Sequence, residues 1–442
     1  MIQAPYYFIG IGGIGMSSIA RYLVEQGYQV AGYDKTPSKL TDSLALLGVE
    51  ITFEEAASAL PKDFTGKNTQ VVYTPAIPSS HPQLNYFSAQ GNTVMKRAAL
   101  LGALTQDTFC IAVAGTHGKT TTTAILTHLF SKAGASFTSF VGGLINGSSN
   151  MVSTGNKYTL VEADEFDRSF LHLSPQLACI TSIDADHLDI YEDKNDIEAT
   201  YAQFAAKVKA PVVVSEATGL AGVQYGFSTH SDFYIDNIQP KNTGYQFDFH
   251  TPEKTHVNCY FNQLGLHNLS NAMAAYILAN SAGLAAEKLF KGWEDFPGVE
   301  RRLQVLLHTE NRILIDDYAH HPTEINAVYK TLEQAFPQKK KCAVFQPHLF
   351  SRTRDFLAEF AVALAQFDRV ILLDIYPARE EPIAGITSQA LLDCIHNVPA
   401  ILLTKDVLVA HVAGLEEEII AVMGAGDIGV EVESIKKALE ND

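Results

Sequence analysis

A loop rich in glycine and hydroxyl residues, between an apolar run and a helical segment, constrains this chain most. The run from Phe109 to Ala114 is typical of a buried strand, and Thr121 to Ala133 has the pattern of a helix. Between them lies Gly115-Thr116-His117-Gly118-Lys119-Thr120. Glycines let the backbone curl around a phosphate, the helix N-terminus favours negative charge, and a lysine can reach the β- and γ-phosphates. This layout predicts a nucleoside triphosphate site.

The loop departs from the full G-x-x-x-x-G-K-[ST] pattern at one position, because Val113 stands where a glycine is expected. The alternative is a glycine turn that opens a surface helix with a solvated lysine. The strand before the loop and the helix after it favour the phosphate site, in which the Thr120 hydroxyl would bind Mg²⁺. The predicted ATP contacts in this loop are Gly115, Thr116, His117, Gly118, Lys119, Thr120 and Thr121.

Length and charge limit what else the chain can be. Its 442 residues predict two to three domains, and 47% apolar with 18% charged residues is typical of a globular protein. A net charge of −17 argues against a nucleic-acid partner. The five scattered cysteines favour a reducing compartment, and no apolar run has bilayer-spanning length. We expect a cytoplasmic protein without membrane insertion, as a monomer or homodimer.

The first segment carries a dinucleotide-type fingerprint. A strand from Tyr6 to Ile9 precedes Gly10-Ile11-Gly12-Gly13-Ile14-Gly15, a helix follows, and the next strand ends at Asp34. This pattern predicts a diphosphate on the helix N-terminus and Asp34 on a ribose or uridine hydroxyl. The alternative is a tight turn without a ligand. A later strand from Val71 runs into Thr74-Pro75-Ala76-Ile77-Pro78, at the sheet edge that ligands favour.

Two strands of the central segment end in acidic residues. Tyr158 to Val161 leads into Glu162-Ala163-Asp164-Glu165-Phe166-Asp167, and Leu177 to Ile183 leads into Asp184-Ala185-Asp186-His187-Leu188-Asp189. Mg²⁺ prefers oxygen ligands, so a carboxylate is a more usual ligand than an imidazole. The alternative is solvated loop charge. We predict a metal site formed by Thr120, Glu162 and His187.

The last parts of the chain complete a three-domain prediction. Residues 225–262 have the pattern of antiparallel strands, and a helix is predicted from Asn271 to Ala282. Asn268 could either cap this helix or bind an adenine. An α/β rhythm resumes near residue 297, with histidines and arginines at strand ends. Gly424 to Gly429 is interpreted mainly as a turn. The predicted class is α/β, with a Rossmann-like diphosphate-binding domain (1–103), a central P-loop-type ATP domain with a parallel and a small antiparallel sheet (104–296), and a Rossmann-like C-terminal domain (297–442).

The motifs together resemble the Mur ligase family over nearly the whole chain. Besides the phosphate loop, the motifs that carry the resemblance are Gly10 to Ser17, Glu162 to Glu165, Asp186 to Asp189, Asp317 to Glu324, Phe345 to His348 and Tyr376 to Glu380. The series is similar to the branch that joins L-alanine to the lactyl carboxylate of UDP-N-acetylmuramate. The resemblance therefore implies an ATP- and Mg²⁺-dependent ligase of peptidoglycan precursor synthesis that forms an acyl phosphate. It also implies that the first domain binds the UDP-sugar and that the C-terminal domain is the ligase domain.

The resemblance also implies roles for single residues. Lys119 would stabilise charge on the transferred phosphate, Asn268 and Arg302 would contact the adenine and the phosphates, and Asp317 would support the nucleotide. The implied catalytic residues are Lys119, His187, Arg302, His320, His348 and Arg352. The implied UDP-sugar contacts are Gly12, Gly13, Ile14, Gly15, Met16, Ser17, Asp34, Thr74, Ala76, Ile77 and Arg97.

Two departures from the family pattern bear on this site. Many alanine-adding members have an arginine where this chain has Leu349, so Arg352 is expected to bind the carboxylate of alanine near His320 and His348. Sister ligases often carry a carbamylated lysine at a position that falls near Ala205, and the alanine-adding branch generally lacks it.

Three alternatives stay open at this point. A recycling ligase would attach a preformed peptide to the same sugar nucleotide, although Glu165 to Phe170 resembles the alanine-adding branch. A nicotinamide-dependent dehydrogenase would explain residues 10–34 and leave the phosphate loop unused. An ATP-binding regulatory module would need no acceptor site.

Overall fold

The computed structural model describes residues 4–144, 150–183, 191, 193–378 and 380–440. Within these residues the chain forms, in chain order, a five-stranded, a ten-stranded and a six-stranded sheet with intervening helices. This architecture confirms the predicted α/β class. Two compact units are present: Met1–Asn237 with Phe247–Phe261 and Ser270–Pro297, and Ile238–Gln246 with Asn262–Leu269 and Gly298–Asp442. No helix in the described ranges has the length and apolar character needed to span a membrane.

The N-terminal segment folds into a parallel sheet. Its strands are β1 (Tyr6–Ile9), β2 (Val30–Tyr33), β3 (Glu50–Thr52), β4 (Gln70–Tyr73) and β5 (Thr93–Lys96), and its helices are α1 (Ile14–Glu25), α2 (Lys39–Ala45), α3 (Pro82–Gln90) and α4 (Arg97–Leu104). The order β3-β2-β1-β4-β5 puts β1 at the centre, where Tyr7, Phe8 and Ile9 are fully buried. The carboxyl end of this central strand leads into the first glycine loop, which is the switch point of the sheet.

The central sheet places the second glycine loop between two strand ends. Its strands are β6 (Phe109–Ala114), β7 (Phe137–Phe140), β8 (Met151–Ser153), β9 (Tyr158–Glu162), β10 (Leu177–Ile180), β11 (Val213–Ser215), β12 (Val223–Gly226), β13 (Phe233–Lys241), β14 (Gly244–His250) and β15 (Thr255–Phe261). Its helices are α5 (Lys119–Ala133), α6 (Lys194–Ala205), α7 (Leu266–Ser281) and α8 (Ala286–Glu294). Because β6 lies between β9 and β10 and pairs with both in parallel, the loop after β6 meets the carboxyl end of each neighbour.

Three strands of the 225–262 region, β13, β14 and β15, extend one edge of this sheet beyond β12, in the order β15-β14-β13-β12. At the opposite edge, β7 and β8 form an antiparallel pair. Aromatic side chains attach the edge strands to the helices that follow. The Phe249 ring lies 5.0 Å from Tyr276 and 5.5 Å from Trp293, centroid to centroid. Such aromatic contacts add to the free energy gained by burial, so this edge is anchored to α7 and α8.

The C-terminal segment forms a sheet with helices on both faces. Its strands are β16 (Gln304–His308), β17 (Ile313–Asp317), β18 (Lys341–Phe345), β19 (Arg369–Leu372), β20 (Ala400–Leu402) and β21 (Ile419–Met423). Its helices are α9 (Pro322–Ala335), α10 (Phe350–Asp355), α11 (Leu357–Leu364), α12 (Ser388–Leu392), α13 (Lys405–Ala413) and α14 (Val432–Leu439). The order is β16-β17-β21-β18-β19-β20, and only β16 pairs antiparallel among the described pairs of this sheet. Separate apolar clusters cover the two faces.

Candidate active site

Two glycines give the loop after β6 its shape. Gly115 has φ +135° and Gly118 has φ +84°, values that L-residues rarely adopt. A Cβ on Gly115 would lie 2.1 Å from Oγ1 of Thr181, and one on Gly118 would lie 2.5 Å from Oδ1 of Asn271. The loop therefore requires glycine at both positions, for conformation and for space. It ends at Lys119, the first residue of α5, so it leads directly into a helix N-terminus.

Lys119 is held at this helix start by carbonyl and carboxylate oxygens. Its Nζ donates to the backbone oxygens of Gly115 (2.7 Å) and Thr116 (3.2 Å) and pairs with Glu165 at 2.8 Å. The Glu165 side chain is only 3% exposed. Burial lowers the pKa of Lys119, but the carboxylates of Glu165, Asp164 and Glu162 outweigh this and raise the pKa above its ordinary value. The amine is therefore charged at neutral pH.

Thr120 and Glu162 lie together, as the metal prediction requires. The Thr120 hydroxyl donates to Oε1 of Glu162 at 2.8 Å, and the backbone N–H of Gly142 donates to Oε2 at 2.7 Å. A hydroxyl and a carboxylate beside a phosphate loop are ligands of the kind that Mg²⁺ prefers. His187, the third predicted ligand, lies outside the described residues. Within the described ranges, no three His, Cys, Asp or Glu side chains are grouped to hold a metal.

The backbone of the phosphate loop is fixed by the segment after β10. The N–H of Thr116 donates to the carbonyl of Ser182 at 3.1 Å, and the N–H of His117 donates to the Ser182 hydroxyl at 2.9 Å. The Thr181 hydroxyl donates to the carbonyl oxygens of His117 and Ala114. Strand β10 therefore stops at Ile180, three residues before the predicted end, because the next two residues turn to bind the loop.

The first glycine loop is closed by Asp34. The N–H of Gly12 donates to Oδ2 of Asp34 at 2.7 Å, and the N–H groups of Gly10 and Ile11 donate to the carbonyl of Tyr33. Gly13 is the N-cap of α1, which begins at Ile14. The carboxylate thus lies at the start of a helix whose N-terminus favours an anion. In this structure the Asp34 carboxylate accepts a hydrogen bond from the loop backbone, at the position where a ribose hydroxyl is predicted to bind.

Most of the other residues predicted to bind the sugar nucleotide surround this loop, whereas Met16 and Ser17 are buried. A Cβ on Gly10 would lie 2.9 Å from Thr74 and 3.5 Å from Ile77, and one on Gly15 would lie 2.6 Å from Nη1 of Arg97. Ala76, in the same turn as Thr74 and Ile77, is exposed. The remaining two are less accessible. The Ser17 hydroxyl accepts a hydrogen bond from Asn150, and Met16 is 2% exposed in the core.

In the second unit, the three residues predicted to bind the amino-acid substrate lie together. The rings of His320 and His348 are 6.0 Å apart, and Nη1 of Arg352 is 3.5 Å from Nδ1 of His348. Burial, together with the charge of His320 and of Arg352, lowers the pKa of His348 to about 4. The His348 imidazole is therefore neutral at neutral pH. Leu349 has φ +72°, an unusual backbone conformation for a leucine, directly before the helix that carries Arg352.

The predicted nucleotide contacts of the second unit have protein partners. Asp317 accepts hydrogen bonds from the N–H groups of Leu303 (2.6 Å) and Ala319 (2.7 Å), and burial raises its pKa to about 6. The Arg302 guanidinium lies 5.3 Å from the centre of the Tyr318 ring. Asn268 is inside α7, which begins at Leu266 and not at Asn271 as predicted. Because Asn268 is two residues after the first residue of the helix, it is not the N-cap. Its side-chain amide donates to the carbonyl of Leu264 at 2.8 Å.

Four polar residues of this region were not assigned a role from the sequence. Glu165 pairs with Lys119, Asn271 fills the space beside Gly118, Asn150 binds α1, and Asp164 binds Arg97. Glu165 and Asp164 belong to the acidic strand end, but their partners are far away in the sequence. A single sequence contains no signal for Asn150, because a lone asparagine in a loop has many structural explanations.

Comparison with known proteins places this arrangement in a family. The profile of the Mur ligase family catalytic domain matches residues 5–108, the Mur ligase middle domain matches 113–279, and the Mur ligase glutamate ligase domain matches 301–429. The UDP-N-acetylmuramate–L-alanine ligase of Flavobacterium psychrophilum is 49% identical over 98% of each chain. That of Christiangramia forsetii is 49% identical over 98% of this chain and 97% of its own.

Solved structures show the same fold. The crystal structure of UDP-N-acetylmuramate-alanine ligase from Thermotoga maritima has a TM-score of 0.84 at 26% identity, covering 99% of this chain and 98% of its own. A murein peptide ligase from Psychrobacter arcticus has a TM-score of 0.68 at 22% identity and covers 99% of both chains. Since the sequence identity to curated relatives extends over almost the entire length of both chains, this chain belongs to the Mur ligase family.

Proposed function

We propose that this chain is an ATP-dependent ligase that joins L-alanine to the lactyl carboxylate of UDP-N-acetylmuramate in peptidoglycan synthesis. The observation that carries this function is 49% identity, over 98% of both chains, to a ligase with that name. The geometry supports it independently, because the first unit contains two glycine loops, each at a helix N-terminus. Two such loops suit two phosphate-bearing substrates.

The chemistry needs two bond exchanges. A carboxylate oxygen of the sugar attacks the γ-phosphorus of ATP, and the bond from that phosphorus to the bridging oxygen of the β-phosphate breaks. ADP departs, and the sugar carboxylate has become an acyl phosphate. The neutral amine of L-alanine then attacks the acyl carbon, inorganic phosphate departs, and the amine loses a proton as the amide forms. Negative charge accumulates between two anions in the first step, so preorganised positive charge is the main contribution a protein can make.

The residues of the phosphate loop have the chemistry that this step requires. Lys119 carries the positive charge beside the predicted phosphate position. Thr120 and Glu162 would hold Mg²⁺, which neutralises phosphate charge when bound. His187 is retained as a proposed further ligand on the basis of the sequence. Asn268, Arg302 and Asp317 remain proposed ATP contacts.

In the second unit, the cluster of His320, His348 and Arg352 is the proposed site for L-alanine. An arginine fork suits the alanine carboxylate, and a neutral imidazole can accept a hydrogen bond from the amine. We propose domain boundaries near residues 103 and 297. A cytoplasmic location is also proposed, and it is supported by five cysteines that all lack disulfide bonds.

The test is an ADP-release assay with purified chain, ATP, Mg²⁺ and UDP-N-acetylmuramate. ADP is expected in amounts equal to the new amide when L-alanine is added, and much less with a preformed peptide. If the sugar carboxylate carries a heavy-oxygen label, one labelled oxygen should appear in each phosphate released. Equal turnover with peptide, or unlabelled phosphate, would contradict the proposed substrate or the acyl phosphate.

A further inference from the structure

Two ion pairs connect the sugar-nucleotide side of the first unit to the strand end that carries Glu162. Lys96, the last residue of β5, pairs with Asp167 at 2.6 Å. Arg97, the first residue of α4, pairs with Asp164 at 3.4 Å. Both aspartates belong to the segment that follows β9, so the predicted diphosphate site and the predicted metal site share a charged connection.

The Arg97 side chain lies between this segment and the first glycine loop. Its Nη2 faces Oδ2 of Asp164, and its Nη1 is 2.6 Å from the place where a Cβ on Gly15 would be. Gly15 is in the first turn of α1, where an anion is favoured. A guanidinium has several N–H donors in one plane and can bind a carboxylate and a second anion together. Arg97 can therefore keep Asp164 as a partner while it contacts a diphosphate.

The aspartate is fixed by its own surroundings. Oδ1 of Asp164 accepts from the N–H of Phe166 at 3.1 Å, and its carbonyl accepts from the N–H of Phe170 at 2.9 Å. Helix α4 packs closely on this segment, since a Cβ on Gly102 would lie 2.6 Å from the carbonyl oxygen of His172. Asp164 therefore offers Arg97 an oriented carboxylate.

Asn150, which directly precedes strand β8 of the central sheet, contacts the first turn of α1. The amide nitrogen of Asn150 donates to the carbonyl of Ile14 at 2.6 Å and to the Ser17 hydroxyl at 2.9 Å, and Asn150 is 1% exposed. The first turn of α1 is thus held from one side by Asn150, while Asp164 orients the arginine above it. The glycine loop is positioned by residues outside its own sheet.

We propose that Asp164 is a positioning residue for the sugar nucleotide. It holds the Arg97 guanidinium over the first turn of α1, so a bound diphosphate is fixed relative to Glu162, two residues earlier in the chain. The inference rests on the proposed function, because it assumes that the first glycine loop binds a UDP-sugar. Asp164 acts through Arg97, and its loss should weaken binding of the sugar nucleotide more than binding of ATP.

Calorimetric titration of the full chain with UDP, and separately with a non-hydrolysable ATP analogue, tests this role. Exposed ion pairs contribute up to about 1 kcal/mol, so Asp164→Asn should weaken UDP binding roughly two- to fivefold. The affinity for the ATP analogue should be unchanged, and Asp164→Glu should restore part of the UDP affinity. The matched control is Asp295→Asn, which removes a similarly exposed aspartate paired with Lys132 and should change neither affinity.

A double-mutant cycle separates positioning from general damage. If Asp164 acts through Arg97, Asp164→Asn should have no further effect on UDP affinity in an Arg97→Ala background. An equal effect in both backgrounds would overturn the proposal, as would equal loss of UDP and ATP-analogue binding. Should Asp164→Asn fold poorly, Asp164→Glu takes its place in the cycle: it should weaken UDP binding by a smaller factor in the unaltered background and have no further effect beside Arg97→Ala.

The outcome also distinguishes this inference from the proposed function. UDP binding is measured without turnover, and ADP release by the unaltered chain is measured beside it. An active enzyme whose Asp164→Asn variant binds UDP normally would overturn the positioning role alone. An unaltered chain that releases no ADP with UDP-N-acetylmuramate and L-alanine would instead overturn the proposed function.

Discussion

The amine of Lys119 is placed for phosphate chemistry and balances a buried charge at the same time. Its partner Glu165 is almost completely buried, and burial raises the pKa of that carboxyl despite the nearby amine. Removing one member of such a pair leaves the other charge without compensation, which costs about 3–5 kcal/mol of stability. An alanine at position 119 would therefore change folding and catalysis together. A useful experiment has to separate these two effects.

We expect Lys119→Met combined with Glu165→Gln to keep the fold and lose activity. Both side chains are then neutral and similar in size to the originals, so the thermal midpoint should lie near that of the unaltered chain. Loss of the preorganised charge should lower kcat by about 100-fold or more, which corresponds to about 3 kcal/mol. The assays are ADP release and thermal unfolding. Lys132→Ala, in the last turn of the same helix, is the control and should stay active; near-normal turnover of the double variant would contradict the role of Lys119.

Arg352 and Arg354 offer a matched pair on one short helix. Arg352 faces His348, whereas Arg354 pairs with Asp355 at the surface. Replacing Arg352 with alanine should raise KM for L-alanine by at least tenfold, since a charge-assisted bond to a carboxylate contributes about 1.5–3 kcal/mol. The KM for ATP should not change, and Arg354→Ala should leave both constants unaltered. If the two variants behave alike in steady-state kinetics, the alanine carboxylate binds elsewhere.

At the scale of elements, the phosphate loop depends on the backbone conformation of Gly118. We expect Gly118→Ala to impair ATP binding strongly, because the methyl group would meet both an unfavourable φ and the Asn271 side chain. Gly134, at the end of the same helix, has φ +70°, and no atom lies within 4 Å of the place where its Cβ would be. Gly134→Ala therefore carries only the conformational cost of about 1–2 kcal/mol. Titration with an ATP analogue and thermal unfolding compare the two, and equal ATP affinity in both variants would mean that the loop tolerates a side chain at position 118.

The elements that the sequence predicts best are those that are surrounded by apolar residues along their whole length. Strands β1 and β6 have the predicted bounds because uninterrupted apolar runs are buried on both sides of a parallel sheet. Helix α7 begins five residues earlier than predicted, since polar His267 and Asn268 in its first turns hide its periodicity. The spacing of apolar residues shows which face of an element packs against the core. It gives little information about where an element begins or ends if its terminal residues are polar.

The contacts that complete the candidate site could not be predicted from the sequence in the same way. Lys119 and Glu165 are separated by 46 positions, and Arg97 and Asp164 by 67. Sequence spacing predicts that strand ends meet at one sheet edge, but it does not determine which carboxylate at that edge receives which cation. That choice depends on rotamers and on the segment between Asp164 and His172, which has no repeating pattern.

At the scale of the whole molecule, the division into two compact units has a thermodynamic consequence. Multidomain chains often unfold in more than one step, and a ligand stabilises the part to which it binds. All predicted UDP contacts lie in the first unit, and so does Trp293, the single tryptophan of the chain. The Trp293 side chain is fully buried, so its fluorescence should report unfolding of that unit. Circular dichroism should report both units.

We therefore expect UDP to raise the unfolding midpoint seen by tryptophan fluorescence and to leave a transition of the second unit unchanged. At about 100 times its Kd, UDP should add about 2.7 kcal/mol to the stability of the first unit. Asp34→Ala should remove most of this gain, whereas Asp42→Ala, a substitution on the neighbouring helix α2, should keep it. Because Asp34→Ala also removes the hydrogen bond to the N–H of Gly12, its midpoint without ligand should fall further than that of Asp42→Ala, so the gain on adding UDP is compared within each variant. An equal shift of every transition would show that the units unfold together, and no shift at saturating UDP would mean that the first glycine loop is not the diphosphate site.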